Sequence, residues 1–136
     1  MSDLAGPATS DTNIVIYAFA GSDKKDAASA ALRTCDFLSV QVLNEYASTG
    51  IRKRRLPWEE VAADIETLKR AITQILPIDS ISNGEALRLA ERYRLSFYDS
   101  LMLAVALRGG AQTIYSEDMQ NGLVIDGTLR IVDPFR

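Results

Sequence analysis

Histidine is absent from this 136-residue chain, and cysteine occurs once, at Cys35. Without histidine, the chain cannot be a Ser–His–Asp or Cys–His hydrolase, nor a ribonuclease that uses a histidine pair. Zinc and copper sites usually contain histidine or several cysteines, so these metals are not expected. One thiol cannot form an internal disulfide, and we expect Cys35 to be a small buried residue with no catalytic role. Acid–base or metal chemistry must then rely on carboxylates, which favour Mg²⁺ or Mn²⁺.

Long hydrophobic runs and targeting signals are also absent from the sequence. The longest uninterrupted apolar runs, Ile14–Ala20 and Leu101–Leu107, have seven residues each, which is too short to span a bilayer. Met1–Pro7 has neither the basic start nor the apolar stretch of a secretory signal. With 47% apolar residues, the sequence predicts one globular domain over residues 1–136, in the cytoplasm and without a membrane partner.

Short strands alternate with helices along the chain. The predicted helices are Ile14–Ala20, Lys24–Thr34, Val40–Arg54, Trp58–Gln74, Ser82–Tyr93 and Phe97–Arg108. The predicted strands are Phe37–Val40, Ile75–Ile78, Gln112–Tyr115 and Leu129–Val132. This alternation predicts an α/β domain with a short, mostly parallel sheet flanked by helices. Binding sites in such domains lie at the carboxyl ends of the strands.

Asp99 is the most informative carboxylate. It lies in the first turn of Phe97–Arg108, a helix that is apolar on nearly every side and should therefore be buried. A charge there is costly unless it is paired or bound to a metal. The sequence leaves two interpretations equal: Asp99 is a functional ligand, or it is stabilised by the helix N-terminus or by Arg88, Arg92 or Arg94.

Three further acids are candidates. Asp11 precedes an apolar segment and Asp118 follows another, which places both near strand ends. The ordinary alternative for Asp11 is a helix N-cap, and for Asp118 a polar turn, in which case Glu117 or Asp126 could be the working acid. Glu45 falls on the polar side of its helix, where a solvated side chain is the simpler interpretation.

Several carboxylates in one cleft would repel one another, and Mg²⁺ would relieve that repulsion. Such an ion can also activate a water and stabilise the leaving oxygen of a phosphodiester. The net charge of −3 does not contradict a nucleic-acid substrate. If four of the 18 acidic residues hold metal, 14 remain against 15 basic residues. The pattern therefore suits metal-assisted hydrolysis of a phosphodiester.

A basic run follows the helix that carries Glu45. Its members are Arg52, Lys53, Arg54 and Arg55. They are either contacts to RNA phosphates or a solvated helix end that complements the helix dipole. Trp58, Tyr46 and Phe97 could stack on bases, although core packing is the expected role of each.

Several short segments occur in order along the chain: Asp11–Phe19 (DTNIVIYAF), Ser39–Glu45 (SVQVLNE), Leu95–Leu101 (LSFYDSL), Tyr115–Gln120 (YSEDMQ), Val124–Gly127 (VIDG) and Ile131–Phe135 (IVDPF). Together they resemble the PIN-domain ribonucleases of the VapC toxin type, over nearly the whole chain. The resemblance implies a PIN fold, usually dimeric. It implies endonucleolytic cleavage of RNA, commonly tRNA or rRNA. It also implies an antitoxin partner, usually a small DNA-binding protein whose tail blocks the cleft.

The resemblance also assigns the site residues. It implies that Mg²⁺ or Mn²⁺ is held by four carboxylates: Asp11, Glu45, Asp99 and Asp118. Asn13 and Ser116 would be supporting polar groups beside them. One departure concerns Gly6–Ser10, where the family carries an apolar strand and this chain has a poor one. The first strand is therefore expected to be short and weak, or the N-terminus to be altered.

Two other functions remain to be compared. A phospho-accepting receiver domain also uses Mg²⁺ and aspartates, but it resembles sequences with a lysine near the late strands, and here the last lysine is Lys69. A non-catalytic binding module with a PIN-like fold is the second alternative. Such a module would have no need to retain four mutually repelling carboxylates.

Overall fold

A computed structural model describes residues 6–136 as an α/β fold. The helices are α1 (Thr12–Phe19), α2 (Lys25–Arg33), α3 (Val40–Arg52), α4 (Trp58–Ala71), α5 (Ser80–Tyr93) and α6 (Phe97–Arg108). The strands are β1 (Ala8–Ser10), β2 (Leu38–Ser39), β3 (Ile75–Leu76), β4 (Thr113–Tyr115), β5 (Val124–Ile125) and β6 (Leu129–Val132). The main sheet has the order β1–β4–β6–β5, and β5 is its antiparallel strand. β2 and β3 form a separate parallel pair. The predicted fold class is confirmed.

The register between β1 and β4 brings two distant segments to one edge of the main sheet. Ser10 pairs with Tyr115, so the two parallel strands end at the same level. The Asp11 backbone N–H then donates to the Tyr115 carbonyl at 2.8 Å, which continues the pairing by one step. Asp11 and Ser116 therefore leave the sheet side by side, at the carboxyl edge where the sequence places the site.

β1 forms although only Thr9 of its three residues, Ala8, Thr9 and Ser10, has high strand propensity. All three are buried: Ala8 packs in a small apolar cluster, and polar contacts hold the strand as well. The Thr9 hydroxyl donates to the Phe37 carbonyl at 2.7 Å, and the Ala8 N–H donates to Asp36 Oδ2 at 2.9 Å. The first strand is thus short, as expected, but it is fully integrated into the sheet.

α6 is the central helix of the core. Seven consecutive residues, from Ser100 to Ala106, are buried, as its uniformly apolar sequence predicts. Ser96 caps its N-terminus by accepting a hydrogen bond from the Asp99 N–H. α5 packs along α6, and the core cluster continues to strand residues such as Ile114 and Ile131.

Helix boundaries differ from the predictions where capping residues set them. α1 begins at Thr12 rather than Ile14, because Asp11 is its N-cap. α5 begins at Ser80 because Asp79 forms a capping box with Ser82. β5 was not predicted as a strand; its two residues are ordered by pairing with β6. Within residues 6–136, no helix combines the length and apolarity needed to cross a bilayer.

Candidate active site

Asp11 is a buried carboxylate at the junction of β1 and α1. Its Oδ1 accepts the Thr12 N–H at 2.8 Å as the N-cap of α1, and its Oδ2 accepts the Ser116 hydroxyl at 2.9 Å. Burial raises its pKa to about 6 against these two hydrogen bonds, and the nearby charges of Asp99 and Glu45 raise it further. Asp11 is therefore the helix N-cap that the sequence offers as an alternative interpretation. It also lies close enough to Asp99 and Glu45 for their charges to affect its pKa.

Glu45 lies on α3, half-buried rather than fully solvated. The Thr12 hydroxyl donates to its Oε1 at 2.6 Å, and the Gln41 side-chain amide donates to its Oε2 at 3.0 Å. The polar side of α3 is thus a wall of the cleft, and the interpretation of Glu45 as a free surface residue is wrong. Thr12 and Gln41 hold its carboxylate in place, a role that the sequence analysis did not assign.

Asp99 lies half-buried at the start of α6. Burial raises its pKa; a hydrogen bond from Ser96 opposes this, and the charges of Asp118 and Glu45 add to the increase. None of the ion pairs within residues 6–136 includes Asp99. The alternative that an arginine neutralises Asp99 is therefore not found in the described part of the chain.

Asp118 is exposed in the loop after β4. The Asn13 amide nitrogen donates to its Oδ2 at 2.9 Å, while Asn13 Oδ1 accepts the Glu117 N–H at 3.3 Å. Ser116, which donates to Asp11, also accepts the Met119 N–H at 3.2 Å. Asn13 and Ser116 thus join the first turn of α1 to this loop.

The four acids line one open cleft of about 400 Å³. Its other lining residues are Thr12, Asn13, Ile16, Ser48, Thr49, Arg52 and Lys53. Ser48, Thr49 and Arg52 follow Glu45 at helical spacings on α3, which is the sequence signal that could have identified them. The basic run is divided: Arg52 and Lys53 reach the cleft, whereas Arg54 donates to the Tyr46 hydroxyl at 3.0 Å.

Two neighbouring acids considered as alternatives to Asp118 are both paired elsewhere. Glu117 forms an ion pair with Lys24 and accepts the Tyr17 hydroxyl at 2.6 Å. Asp126 forms an ion pair with Arg88 at 2.6 Å. The Lys24 cation lowers the pKa of Glu117, and Arg88 lowers the pKa of Asp126. Neither residue lines the cleft.

A divalent cation fits the donor set, although the four carboxylates do not form a compact cage. Within residues 6–136, no three Asp, Glu or Cys side chains meet the geometry of a metal-binding group. The carboxylates instead lie along an open cleft, and none has an ion-pair partner among the described residues. Mg²⁺ keeps several waters and needs only one or two protein carboxylates, so an open cleft whose acids form no ion pairs among the described residues suits it.

Two other sequence expectations are decided by burial. Cys35 is half-buried rather than fully buried, and desolvation raises the pKa of its thiol to about 12, which keeps it neutral and non-nucleophilic. Tyr46 is fully buried and Phe97 packs against the core cluster, as expected. The prediction that Trp58 packs in the core is wrong, because its side chain is 73% exposed.

The family model of the PIN domain matches residues 9–120, which include all four carboxylates. The chain belongs to the PIN-domain family. The resemblance drawn from the short motifs is thereby confirmed, and the receiver-like alternative is not supported. No curated protein matches the chain.

Solved structures similar to this PIN domain cover almost its whole length. A toxin–antitoxin complex from Klebsiella pneumoniae has a TM-score of 0.72 at 21% identity, covering 93% of this chain and 97% of that one. VapC20 from Mycobacterium tuberculosis, described as a toxin that cleaves the sarcin–ricin loop, has 0.64 at 18% identity, covering 82% and 89%. VapBC2 from Rickettsia felis, bound to a promoter DNA fragment, has 0.67 at 16% identity, covering 94% and 100%. At these identities the similarity is one of fold.

Proposed function

We propose that this PIN domain is an Mg²⁺- or Mn²⁺-dependent endoribonuclease that acts in the cytoplasm as the toxin of a toxin–antitoxin pair. Asp11, Glu45, Asp99 and Asp118 are its catalytic carboxylates and metal ligands. The observation that carries the proposal is the meeting of these four acids in one cleft, with no ion-pair partner among residues 6–136.

When bound, the divalent ion lowers the pKa of a coordinated water and offsets charge on the cleaved phosphodiester. The chain's own hydrogen bonds orient the carboxylates towards that task. Thr12 and Gln41 hold Glu45, Ser116 holds Asp11, and Asn13 holds Asp118. Such supporting contacts fix ligand orientation and usually affect metal affinity strongly.

Arg52 and Lys53 are the proposed contacts to the RNA backbone. Arg52 is the last residue of the helix that carries Glu45 and Lys53 is its C-cap. Both line the cleft, so they place positive charge next to the acidic centre. An RNA strand lying across the cleft would present phosphates to these two cations and a phosphodiester bond to the carboxylates. Arg54 is not included, because its guanidinium binds Tyr46.

The proposed partners are an antitoxin protein and a second copy of the chain. Three similar solved structures are described as a toxin–antitoxin complex from Klebsiella pneumoniae, VapBC2 from Rickettsia felis, and FitAcB from Neisseria gonorrhoeae. Their fold similarity supports an antitoxin partner here. The homodimer and a tRNA or rRNA substrate rest on the family resemblance.

The test compares two identical chemical changes, Asp99→Asn in the cleft and Asp126→Asn outside it. With labelled RNA and Mg²⁺, we expect Asp99→Asn to reduce cleavage to background and Asp126→Asn to retain it. Asp126 has φ 50°, a conformation that asparagine adopts readily, so the control should fold normally. Circular dichroism checks folding of both variants. Unchanged cleavage by pure Asp99→Asn protein would contradict the catalytic role proposed for Asp99.

One observation favours a second candidate, a non-catalytic PIN-like module that binds RNA or protein. The described carboxylates do not form a compact metal-binding group. Titration of the wild-type protein with Mn²⁺ by calorimetry separates the candidates. Metal binding that is lost in Asp99→Asn supports the nuclease, whereas no binding together with no RNA cleavage supports the module.

A further inference from the structure

Residues 133–135 complete the sequence motif Ile131–Phe135 but lie beyond the last strand, β6. They form a turn in which the Phe135 N–H donates to Asp133 Oδ1 at 2.9 Å. The turn brings the Phe135 ring edge-on to Tyr17 of α1, with ring centroids 5.2 Å apart and an interplanar angle of 83°. Aromatic rings prefer this geometry, so the segment is attached to α1 although it is not part of the sheet.

The same face of α1 contacts the loop that carries Asp118. Asn13 and Tyr17 are four residues apart, so their side chains lie on one side of the helix. The Tyr17 hydroxyl donates to Glu117 Oε1 at 2.6 Å. Asn13 accepts the Glu117 N–H at 3.3 Å and donates to Asp118 Oδ2 at 2.9 Å. Two consecutive loop residues are therefore held by one face of α1.

Lys24 connects the aromatic pair to Glu117. Its Nζ forms an ion pair with Glu117 and lies 4.8 Å from the Tyr17 ring centroid and 5.2 Å from that of Phe135. A cation at these distances is attracted by the ring faces. The Glu117 side chain is 24% exposed, so solvent screens this ion pair less than one on the open surface. Phe135 thus contacts both groups that bind the Glu117 carboxylate.

The far end of the same loop also contacts this segment. The Asp133 N–H donates to Asn121 Oδ1 at 2.8 Å. Asp118 lies between Glu117 and Asn121 in the chain, and its side chain is exposed. The position of an exposed side chain depends on how the loop residues on either side of it are held. Residues 133–135 contact this loop directly at one end and through α1 at the other.

We propose that Tyr17 and Phe135 are positioning residues for Asp118. The Phe135 ring keeps Tyr17 and Lys24 in place. Those two groups hold Glu117, which fixes the loop immediately before Asp118. This inference rests on the proposed metal-dependent function. It adds that the affinity of the cleft for its ion depends on two aromatic residues that do not line the cleft.

The first test follows amide hydrogen exchange in the metal-free protein, so that it does not depend on catalysis. The reporters are the N–H groups of Glu117 and Met119, which donate to side chains of α1 and of the loop itself. Tyr17→Phe should speed their exchange about 10-fold, the equivalent of one hydrogen bond to a carboxylate. Phe135→Ala should speed it about 3- to 10-fold through the lost ring contact, and Phe135→Tyr, which keeps the ring, should not. Exchange in α6 should be unchanged in all three variants.

The second test measures Mn²⁺ binding by calorimetry. Tyr17→Phe and Phe135→Ala should each raise the Kd about 10-fold, as for other groups that orient a metal ligand. At saturating Mn²⁺, kcat for RNA cleavage should return to the wild-type value, because Asp118 is then held by the bound ion. Tyr93→Phe is the matched control, because it removes a tyrosine hydroxyl that contacts Asp126, an acid outside the cleft. Its loop exchange and its Mn²⁺ affinity should equal those of the wild type.

Three outcomes are distinguishable. Wild-type loop exchange and wild-type Mn²⁺ affinity in both Tyr17→Phe and Phe135→Ala would overturn the positioning role and leave the nuclease intact. Faster loop exchange in both variants of a protein that neither binds Mn²⁺ nor cleaves RNA supports the positioning of the loop and contradicts the nuclease. Faster exchange throughout α6 in Phe135→Ala, with wild-type values in Tyr17→Phe, makes Phe135 a general packing residue and overturns the proposal.

Discussion

Two groups of acidic residues in this chain differ in whether a cation is paired with them. Glu117 and Asp126 each have a cation, Lys24 and Arg88, which lowers their pKa. Asp11 and Asp99 in the cleft have none among the described residues, and burial raises their pKa, that of Asp11 to about 6. Glu117 and Asp118 are even adjacent in sequence, yet only the first is paired.

The contrast shows that the cleft acids lack ion-pair partners because of where they lie, and not because the chain has too few basic residues. Arg52 and Lys53 line the same cleft as the four carboxylates but form no ion pair with them. The paired acids stabilise the positions of loops. The unpaired acids keep an unfavourable electrostatic arrangement that a bound cation would relieve.

Removing the divalent ion should have the largest effect, because none of the cleft acids has an ion-pair partner among the described residues. We expect EDTA to reduce RNA cleavage to background, and added Mg²⁺ or Mn²⁺ to restore it. A gel assay with labelled RNA measures the rate. Cleavage that persists in chelator at full rate contradicts a metal-dependent site.

Asp11→Asn should stabilise the metal-free protein. Since the pKa of Asp11 is raised on folding, the folded state binds its proton more tightly than the unfolded state, and this contribution to stability is lost as pH rises through about 6. Asparagine keeps the cap and avoids the buried charge, with an expected gain of about 1–3 kcal/mol at pH 7.5.

Thermal unfolding in EDTA at pH 5 and pH 7.5 measures this effect, and the gain should be larger at pH 7.5. Asp126→Asn is the control. It should show no gain in stability, because the substitution removes the ion pair with Arg88. A variant Asp11→Asn that is less stable than the wild type at pH 7.5 would show that burial is not the dominant influence on this carboxyl.

Lys24→Met should weaken metal binding in the cleft indirectly. Lys24 Nζ pairs with Glu117 and lies 4.8 Å from the Tyr17 ring centroid and 5.2 Å from that of Phe135. Losing this cation frees the loop that carries Asp118, so the Mn²⁺ concentration for half-maximal activity should rise about 10-fold. Lys24→Arg should retain most of the affinity.

The matched control for Lys24→Met is Lys69→Met, which removes an exposed ammonium whose partner Glu66 lies 3.7 Å away on the same helix. Its metal dependence should equal that of the wild type. Equal values for Lys24→Met and Lys69→Met would mean that the loop is positioned without the Lys24–Glu117 ion pair, by its contacts with Asn13, Tyr17 and Asp11.

Arg88→Gln should have the smallest effect. It removes the partner of Asp126 on an exposed surface, where salt screens the attraction. We expect unchanged RNA cleavage and a slightly lower unfolding temperature at low salt, with the difference vanishing at high salt. A large loss of cleavage would place Asp126 in the catalytic machinery after all.

The buried parts of the fold and site could be predicted from the sequence because their signals are local. The uniformly apolar α6 predicts burial, and an acid in its first turn identifies Asp99 as unusual. β1 could not be predicted with the same ease, since Ala8–Ser10 forms a strand through contacts with β4 and with Asp36 and Phe37. Those contacts are distant in sequence.

The environment of polar helix faces was the least predictable feature. Glu45 and Trp58 illustrate it in opposite directions. Helical spacing alone favours a solvated Glu45, which the family resemblance assigns to the site and which lines the cleft. Trp58 is expected in the core and is exposed. Helical periodicity defines which residues share a face, but it does not say whether that face meets solvent, a cleft or a neighbouring element.

The hydrogen bond from Ser116 to Asp11 joins residues 105 positions apart, across the pairing of β1 with β4. A nascent chain that ends after α6 already carries three of the four carboxylates, but it lacks the strand against which β1 aligns. The complete four-acid cleft therefore forms only after β4 and the loop that carries Asp118 have been synthesised, which is late in translation.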